Sequence, residues 1–253
     1  MNRRRITVLR IVTLLGLALL WELSGRLGLV DVDFLPPLSQ VLVKLGELLR
    51  DRSFRADVWT TTLECLVAAA IVVPLGLGVG FAIGESPRLN RMLSQPIQLM
   101  MTIPKSIFLP VFILLFGIGF AQKVIFAIVL AFFIIVPTGV SAAQSVPAGL
   151  VTAARAFGAY RSQIYLRIYL PAMAPVVIGG ARLGIIFAIH GVILAEMYAS
   201  TSGLGKSILE WGESSQMDYL FAAVLLVVAF TVALNETLQA LERASQKRFS
   251  GSE

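Results

Sequence analysis

The chain has 253 residues, 57% of them hydrophobic and only 14% charged, with a formal charge of +6. A soluble domain carries roughly 25% charged residues, so soluble globular classes are set aside in favour of an all-α polytopic membrane protein. Its apolar runs approach the ~20 residues that cross hydrocarbon, and the alternation of a membrane barrel is absent. The positive balance reads as cytoplasmic loops that collect Lys and Arg, with no nucleic acid implied. Cys65 sits in an apolar run and reads as a small buried hydrophobe. A single histidine and a single cysteine give no metal-ligand cluster.

Basic residues at the front, Arg3, Arg4, Arg5 and Arg10, precede an apolar core without a small-x-small cleavage site. Residues 1–30 are therefore expected to hold an uncleaved first span that enters from the cytoplasm. Residues 31–61 follow a rigid Phe34-Leu35-Pro36-Pro37 turn. Apolar residues at Leu38, Val41, Leu42, Leu45, Leu48 and Leu49 alternate there with Gln40, Lys44, Glu47 and Arg50. That spacing predicts an external amphipathic helix lying at the interface.

Residues 62–243 carry the remaining five spans. The second, near 62–84, has Gly76, Gly80 and Gly84 four residues apart, a face that lets another helix approach closely. The third, near 93–116, holds Pro96, Pro104, Pro110 and Lys105. Prolines free carbonyls that neighbours or cavity water must satisfy, and a lysine at that depth faces the bundle interior. Lys105 is read either as a partner for a freed carbonyl or acid, or as a cation on a solute path. The fourth span, near 123–144, contains Pro137. The fifth, near 173–197, has small residues at Gly180, Gly184 and Gly191 and carries Arg182, His190 and Glu196. Arg182 is close enough to the inner end to snorkel. Residues 200–218 are polar and acidic and are placed outside. The sixth span, near 219–240, precedes a cytoplasmic tail at 244–253.

Sidedness follows from the basic residues. Arg88, Arg91, Arg155, Arg161, Arg167, Arg243, Lys247 and Arg248 join the N-terminal arginines inside. Arg26, Lys44, Arg50, Arg52, Arg55, Lys123 and Lys206 are assigned outside, and both termini are cytoplasmic.

Between the fourth and fifth spans, 147–171 interrupts the apolar pattern with three arginines and no acid. Two short helix-like pieces meet at Gly158, where glycine permits a turn that a side chain would obstruct. Thr152-Ala153-Ala154, then Gly158, then Leu170-Pro171 resembles the cytoplasmic Glu-Ala-Ala loop of ABC importer permeases. Its first position departs from the pattern, with Thr152 standing where glutamate is usual. The Phe34–Pro37 turn, the Pro104–Pro110 segment with Phe116-Gly117-Ile118-Gly119, and Ala195-Glu196-Met197 with Gly203-Leu204-Gly205 are similar to the nitrate, sulfonate, taurine and bicarbonate subfamily.

The resemblance implies a type I importer permease fold with coupling helices at 148–170. The implied assembly is a second permease copy in a homodimer, two ATP-binding cassette subunits, an extracytoplasmic solute-binding protein and surrounding lipid. Thr152, Ala153, Ala154, Arg155, Phe157, Gly158, Tyr160, Arg161, Leu170 and Pro171 would dock the ATPase. Lys105, His190 and Glu196 are candidates for the translocation path. The chain has no phosphate-binding P-loop, so ATP and magnesium would be bound by the partner ATPase, and no catalytic residue is assigned to this chain. The expected solute is a small anion, with thiamine-precursor or aromatic-acid uptake as alternatives. An intramembrane enzyme would rest on His190 and Glu196 alone, and a secondary transporter would leave 150–169 unexplained.

Overall fold

The computed structural model describes residues 3–198 and 200–249, with side-chain surroundings for 8–198, 200–240 and 242. Among them are α1 (Arg3–Arg26), α2 (Leu38–Leu48), α3 (Arg52–Glu85), α4 (Pro87–Thr102), α5 (Leu109–Phe116) and α6 (Phe120–Gln144). They are followed by α7 (Ala148–Ala156), α8 (Arg161–Ile164), α9 (Leu170–Tyr198), α10 (Leu204–Glu213) and α11 (Met217–Phe249), and no strand occurs among the described residues. Five helical stretches among the described residues are long and apolar enough to cross a membrane, and α4 with Lys105–Phe116, bent by 80°, makes a sixth when the pair is counted as one span.

α6 is the helix on which the bundle is assembled, with α3 on one side and α9 on the other. Its Ala127, Ala131 and Ile135 are fully buried against Ala68 and Val72 of α3 and Ala188 and Val192 of α9. Glycine makes this approach close. A Cβ at Gly80 would collide with the Val136 carbonyl and lie 2.8 Å from Gly139 Cα, and one at Gly84 would lie 2.7 Å from Ala143 Cβ. Gly76 faces Ile135; on α9, Gly180 meets Thr138, Gly184 meets Ile135 and Gly191 meets Ala127. Both glycine faces therefore rest on α6, held by dispersion, the main attraction left where the solvent is lipid. Gly80→Ala is expected to lower stability by roughly 1–3 kcal/mol through overpacking against backbone. Gly78→Ala, with no atom within 4 Å of the added carbon, should not. Thermal unfolding of the detergent-purified variants measures the difference.

Several boundaries differ from the sequence reading. α3 starts at Arg52, because the Asp51 side chain caps it by accepting from Ser53 N at 3.0 Å. Residues 52–61 thus belong to the second span's helix instead of the external loop. The third span is broken: Pro104 has no N–H for the Met100 carbonyl, and a 3-10 turn at Lys105–Phe108 restarts the chain in a new direction. α8, a π-helical stretch at Tyr165–Tyr169 and α9 form one continuous run. The second piece of the docking stretch is accordingly the foot of the fifth span, not a freestanding helix. Lys123, assigned to the outside, is 2% exposed in the first turn of α6. Arg182 pairs with Glu242 of α11 at 3.6 Å. The tail beyond Phe249, and the side chains of Arg3, Arg4, Arg5, Arg243, Lys247 and Arg248, lie outside the described residues.

α2 is amphipathic as its spacing predicts. It buries Val41 and Leu48 in a cluster with Phe54, Leu204 and, from α11, Ala222 and Ala223. Lys44 on its polar side pairs with Glu47 at 2.9 Å and lies 4.8 Å over the Tyr219 ring. Glu47 first, then the Tyr219 hydroxyl, hold the Lys44 ammonium above the usual lysine range. The bundle thus has two dissimilar ends, one bearing α7 and α8, the other α2 and α10.

Candidate functional site

At the α7 end, α7 closes in a glycine turn. Phe157 N donates to Ala153 O, Gly158 N to Arg155 O and Ala159 N to Ala154 O, each at 3.0 Å. These bonds satisfy carbonyls the helix would otherwise leave open. Gly158 adopts φ +79°, yet no atom lies within 4 Å of where a Cβ would stand. The backbone angle, and not crowding, is what requires glycine here.

Val151 and Ile164 are buried with Val146, and Ala154, Ala159 and Tyr169 pack against them, seating the turn on the foot of α9. The Tyr165 hydroxyl donates to Glu85 at the end of α3. The rings of Tyr165 and Tyr169 meet Phe81 edge-on at 6.1 and 6.0 Å. With its back so anchored, the turn presents Phe157 at 92% and Tyr160 at 75% exposure, beside exposed Ala153, Arg155, Arg161 and Leu170. Thr152 bonds to its own helix at Ala148 O, 3.0 Å away, and holds no charge. Glu85 lines a small cavity together with Arg155 and Arg161. Thr152, Ala153, Arg155, Phe157, Gly158, Tyr160 and Arg161 are thus exposed around one turn, Ala154 instead packs on its buried side, and Leu170 and Pro171 lie just beyond, where α9 begins.

At the α10 end lies a buried polar network. α10 begins without a side-chain cap of its own, so its first N–H groups need partners from elsewhere. Gly203 N donates to Asp57 Oδ1 at 2.8 Å, Leu204 N to Thr61 Oγ1 at 2.8 Å, and Gly205 N to Glu196 Oε2 at 2.8 Å. Thr61 Oγ1 in turn donates to Glu196 Oε1 at 2.7 Å, and Ser207 Oγ to Asp57 Oδ2 at 3.1 Å. Acids at a helix N-terminus also meet its positive dipole end. Behind them Lys123 forms an ion pair with Glu64, fully buried on α3, and donates to Ser200 Oγ at 3.1 Å and Ser202 O at 3.4 Å. A Cβ at Gly203, φ +115°, would collide with the Glu196 carboxylate. α3, α6 and α9 thereby clasp the 200–207 segment.

The three path candidates are not brought together. Glu196 is 1% exposed inside this clasp. His190 lies on an exposed face of α9, its Nδ1 3.0 Å from Ile186 O, beside an apolar groove shared with α11. Lys105 stands at the break of the third span, bonded to Met100 O and over the Phe133 ring. The half-buried Asp57 and the buried partners Thr61, Glu64 and Lys123 were missed. An acid at position 64 within the helix of the second span was the available signal, since such a group must find a partner.

The family profile described as "Binding-protein-dependent transport system inner membrane component" matches residues 72–251, taking in the glycine turn, Lys123 and Glu196. The chain belongs to this family. This permease is 31% identical over 247 residues to the taurine transport system permease protein TauC of Escherichia coli (strain K12), covering 95% of this chain and 89% of TauC. It is 26% identical to the putative aliphatic sulfonates transport permease protein SsuC of Bacillus subtilis (strain 168), over 88% of this chain and 81% of that one. In fold it is similar to the MetNI methionine ABC transporter in an inward-facing conformation, with a TM-score of 0.60 at 20% identity over 82% of this chain and 97% of that one. The permease is thus a multi-pass membrane subunit of an ABC importer. Asp57, Thr61 and Glu64 of the clasp precede the matched segment.

Proposed function

We propose that the permease forms one half of the membrane path of an ATP-driven importer for small sulfonate-type anions. Two copies pair, and each seats an ATPase subunit on its glycine turn and receives solute from an extracytoplasmic binding protein at the α10 end. The observation that carries this reading is the exposed Phe157–Tyr160 turn, anchored to both α3 and α9. An ATPase that changes shape can move helices only through such a stiff contact. Arg155 and Arg161 supply cations for acidic residues of the partner, and ATP with its magnesium binds in that partner. Arg88, Arg91, Arg155, Arg161 and Arg167 favour the α7 end as the cytoplasmic one, which puts both termini there. The solute class is drawn from the similarity to TauC and SsuC.

Reconstitution with the ATPase and binding protein tests the reading. ATP hydrolysis is scored against taurine, an alkanesulfonate, nitrate, bicarbonate and glycine betaine. Taurine or the alkanesulfonate should stimulate most. Stimulation by a neutral or cationic solute alone would overturn the solute class, and hydrolysis without permease-bound ATPase would overturn the coupling.

A further inference from the structure

The break in the third span leaves a cation at hydrocarbon depth. Pro104 removes the N–H that would serve Met100 O, and Lys105 Nζ serves it instead at 2.9 Å, with its ammonium 5.4 Å over the Phe133 ring. Phe133 lies midway along α6. The carbonyl occupies one of three ammonium donors and neutralises none of its charge. Among the described residues no carboxylate forms an ion pair with Lys105.

One helical turn beyond Phe133 a row of polar residues begins and runs to the α7 end. Asn90, Ser94 and Gln98 recur at four-residue spacing on α4, and Pro137, Ser141 and Gln144 continue the Phe133 face of α6. These residues, with Ile97 and Val140 between them, line one cavity of about 290 Å³, open to the surface. Gln98, Ser141 and Gln144 are exposed in it. Lipid would be a poor solvent for such a row, because polar groups and irregular backbone at this depth belong against protein or a water-filled cavity.

We infer that the α4–α6 lane is the part of the solute path contributed by this chain, and that Lys105 binds the anionic head group of the passing solute, a sulfonate or carboxylate, at its mouth. The solute class rests on the function proposed above; the lane itself does not. Lys105 can offer its remaining donors to such a group, while the Met100 carbonyl and the Phe133 ring hold the ammonium in place. His190 and Glu196 have no part in this route.

Two experiments on the assembled permease–ATPase complex in liposomes test this. In the first, Gln98→Cys is modified with 2-sulfonatoethyl or 2-(trimethylammonio)ethyl methanethiosulfonate. Cys65, which is buried, provides the unreactive parent. The anionic reagent should react about fivefold faster than the cationic one, and Lys105→Gln should abolish that preference. Leu114→Cys, on an apolar outward face 85% exposed, should resist both. No reaction at Gln98→Cys, or no charge preference, overturns the lane. In the second, taurine uptake with its binding protein should fall at least about tenfold in Lys105→Gln and largely survive in Lys105→Arg. Both variants should co-purify with the ATPase as the wild type does. Unchanged uptake in Lys105→Gln, or a loss of uptake in the assembled complex that Lys105→Arg does not rescue, overturns the role of Lys105. If the wild-type complex imports no sulfonate while the thiol result holds, the solute class fails and the lane stands.

Discussion

Substituting Lys123 by methionine is expected to lower the stability of the permease by about 3–5 kcal/mol, because it strands the Glu64 carboxylate in the interior without a cation. Lys123 and Glu64 are both essentially inaccessible, and their ion pair is the only one between α3 and α6 among the described residues. The double variant Glu64→Leu, Lys123→Met should recover most of the loss, since an apolar pair of similar volume often matches a buried ion pair. Thermal unfolding in detergent measures both. A second readout separates the clasp from general stability. Lys123 also holds Ser200 and Ser202, so in the double variant the 200–205 segment should remain more susceptible to limited proteolysis even after stability returns. A single variant as stable as the wild type would show that the pair contributes nothing.

Replacing Gly158 by valine should abolish association with the ATPase while leaving membrane insertion intact. The left-handed angle at Gly158 costs a side-chain-bearing residue on the order of 1–3 kcal/mol, with β-branched residues least able to adopt it. The turn would then reopen, and Phe157 and Tyr160 would leave the face they share. Because no atom approaches the position from outside, the defect arises from backbone geometry alone. Gly158→Asn, which visits that region more readily, should therefore keep a substantial part of the association. Co-purification of the ATPase with each variant decides it. Equal loss in valine and asparagine variants would point to contact with the partner instead of the turn, and intact association in the valine variant would remove the docking role.

Much of the architecture was legible because it depends on sums over many residues. Hydropathy averaged over a span survives single exceptions, and the four-residue glycine spacing of α3 is a local property of one helix. The turn at Gly158 was legible for a similar reason, since an exposed glycine at a helix end among arginines is a short-range pattern. The clasp was not. Glu64 follows Thr60, Thr61 and Thr62 and reads as the polar entry to a span, while Lys123 reads as a residue of the preceding turn. Only the packing of α3 on α6 makes them a pair. Glu196 was singled out as an acid within a span, but its partners Thr61 and Gly205 come from α3 and from the first turn of α10. The continuity of α8 with α9 was hidden for the opposite reason. Arg161 and Arg167 make the stretch polar enough to resemble a loop, although its backbone never leaves the helix. The broken third span was signalled by Pro104 and Pro110, which mark where a helix can fail without telling how far it turns.

From Arg161 to Tyr198 the chain runs as one helical stretch of 38 residues, about 57 Å long at 1.5 Å per residue. Its foot carries the glycine turn and its head ends in the clasp on α10. Gly180 and Gly184, near its midpoint, set it against α6 with no side chain of their own in between. Such a rod behaves as a lever on a low fulcrum. A tilt of about 10° about that point would carry each tip by about 5 Å, in opposite directions. In the pair proposed above, drawing the feet of two such levers together would spread their heads, so an inner opening and an outer opening could not occur in the same stroke.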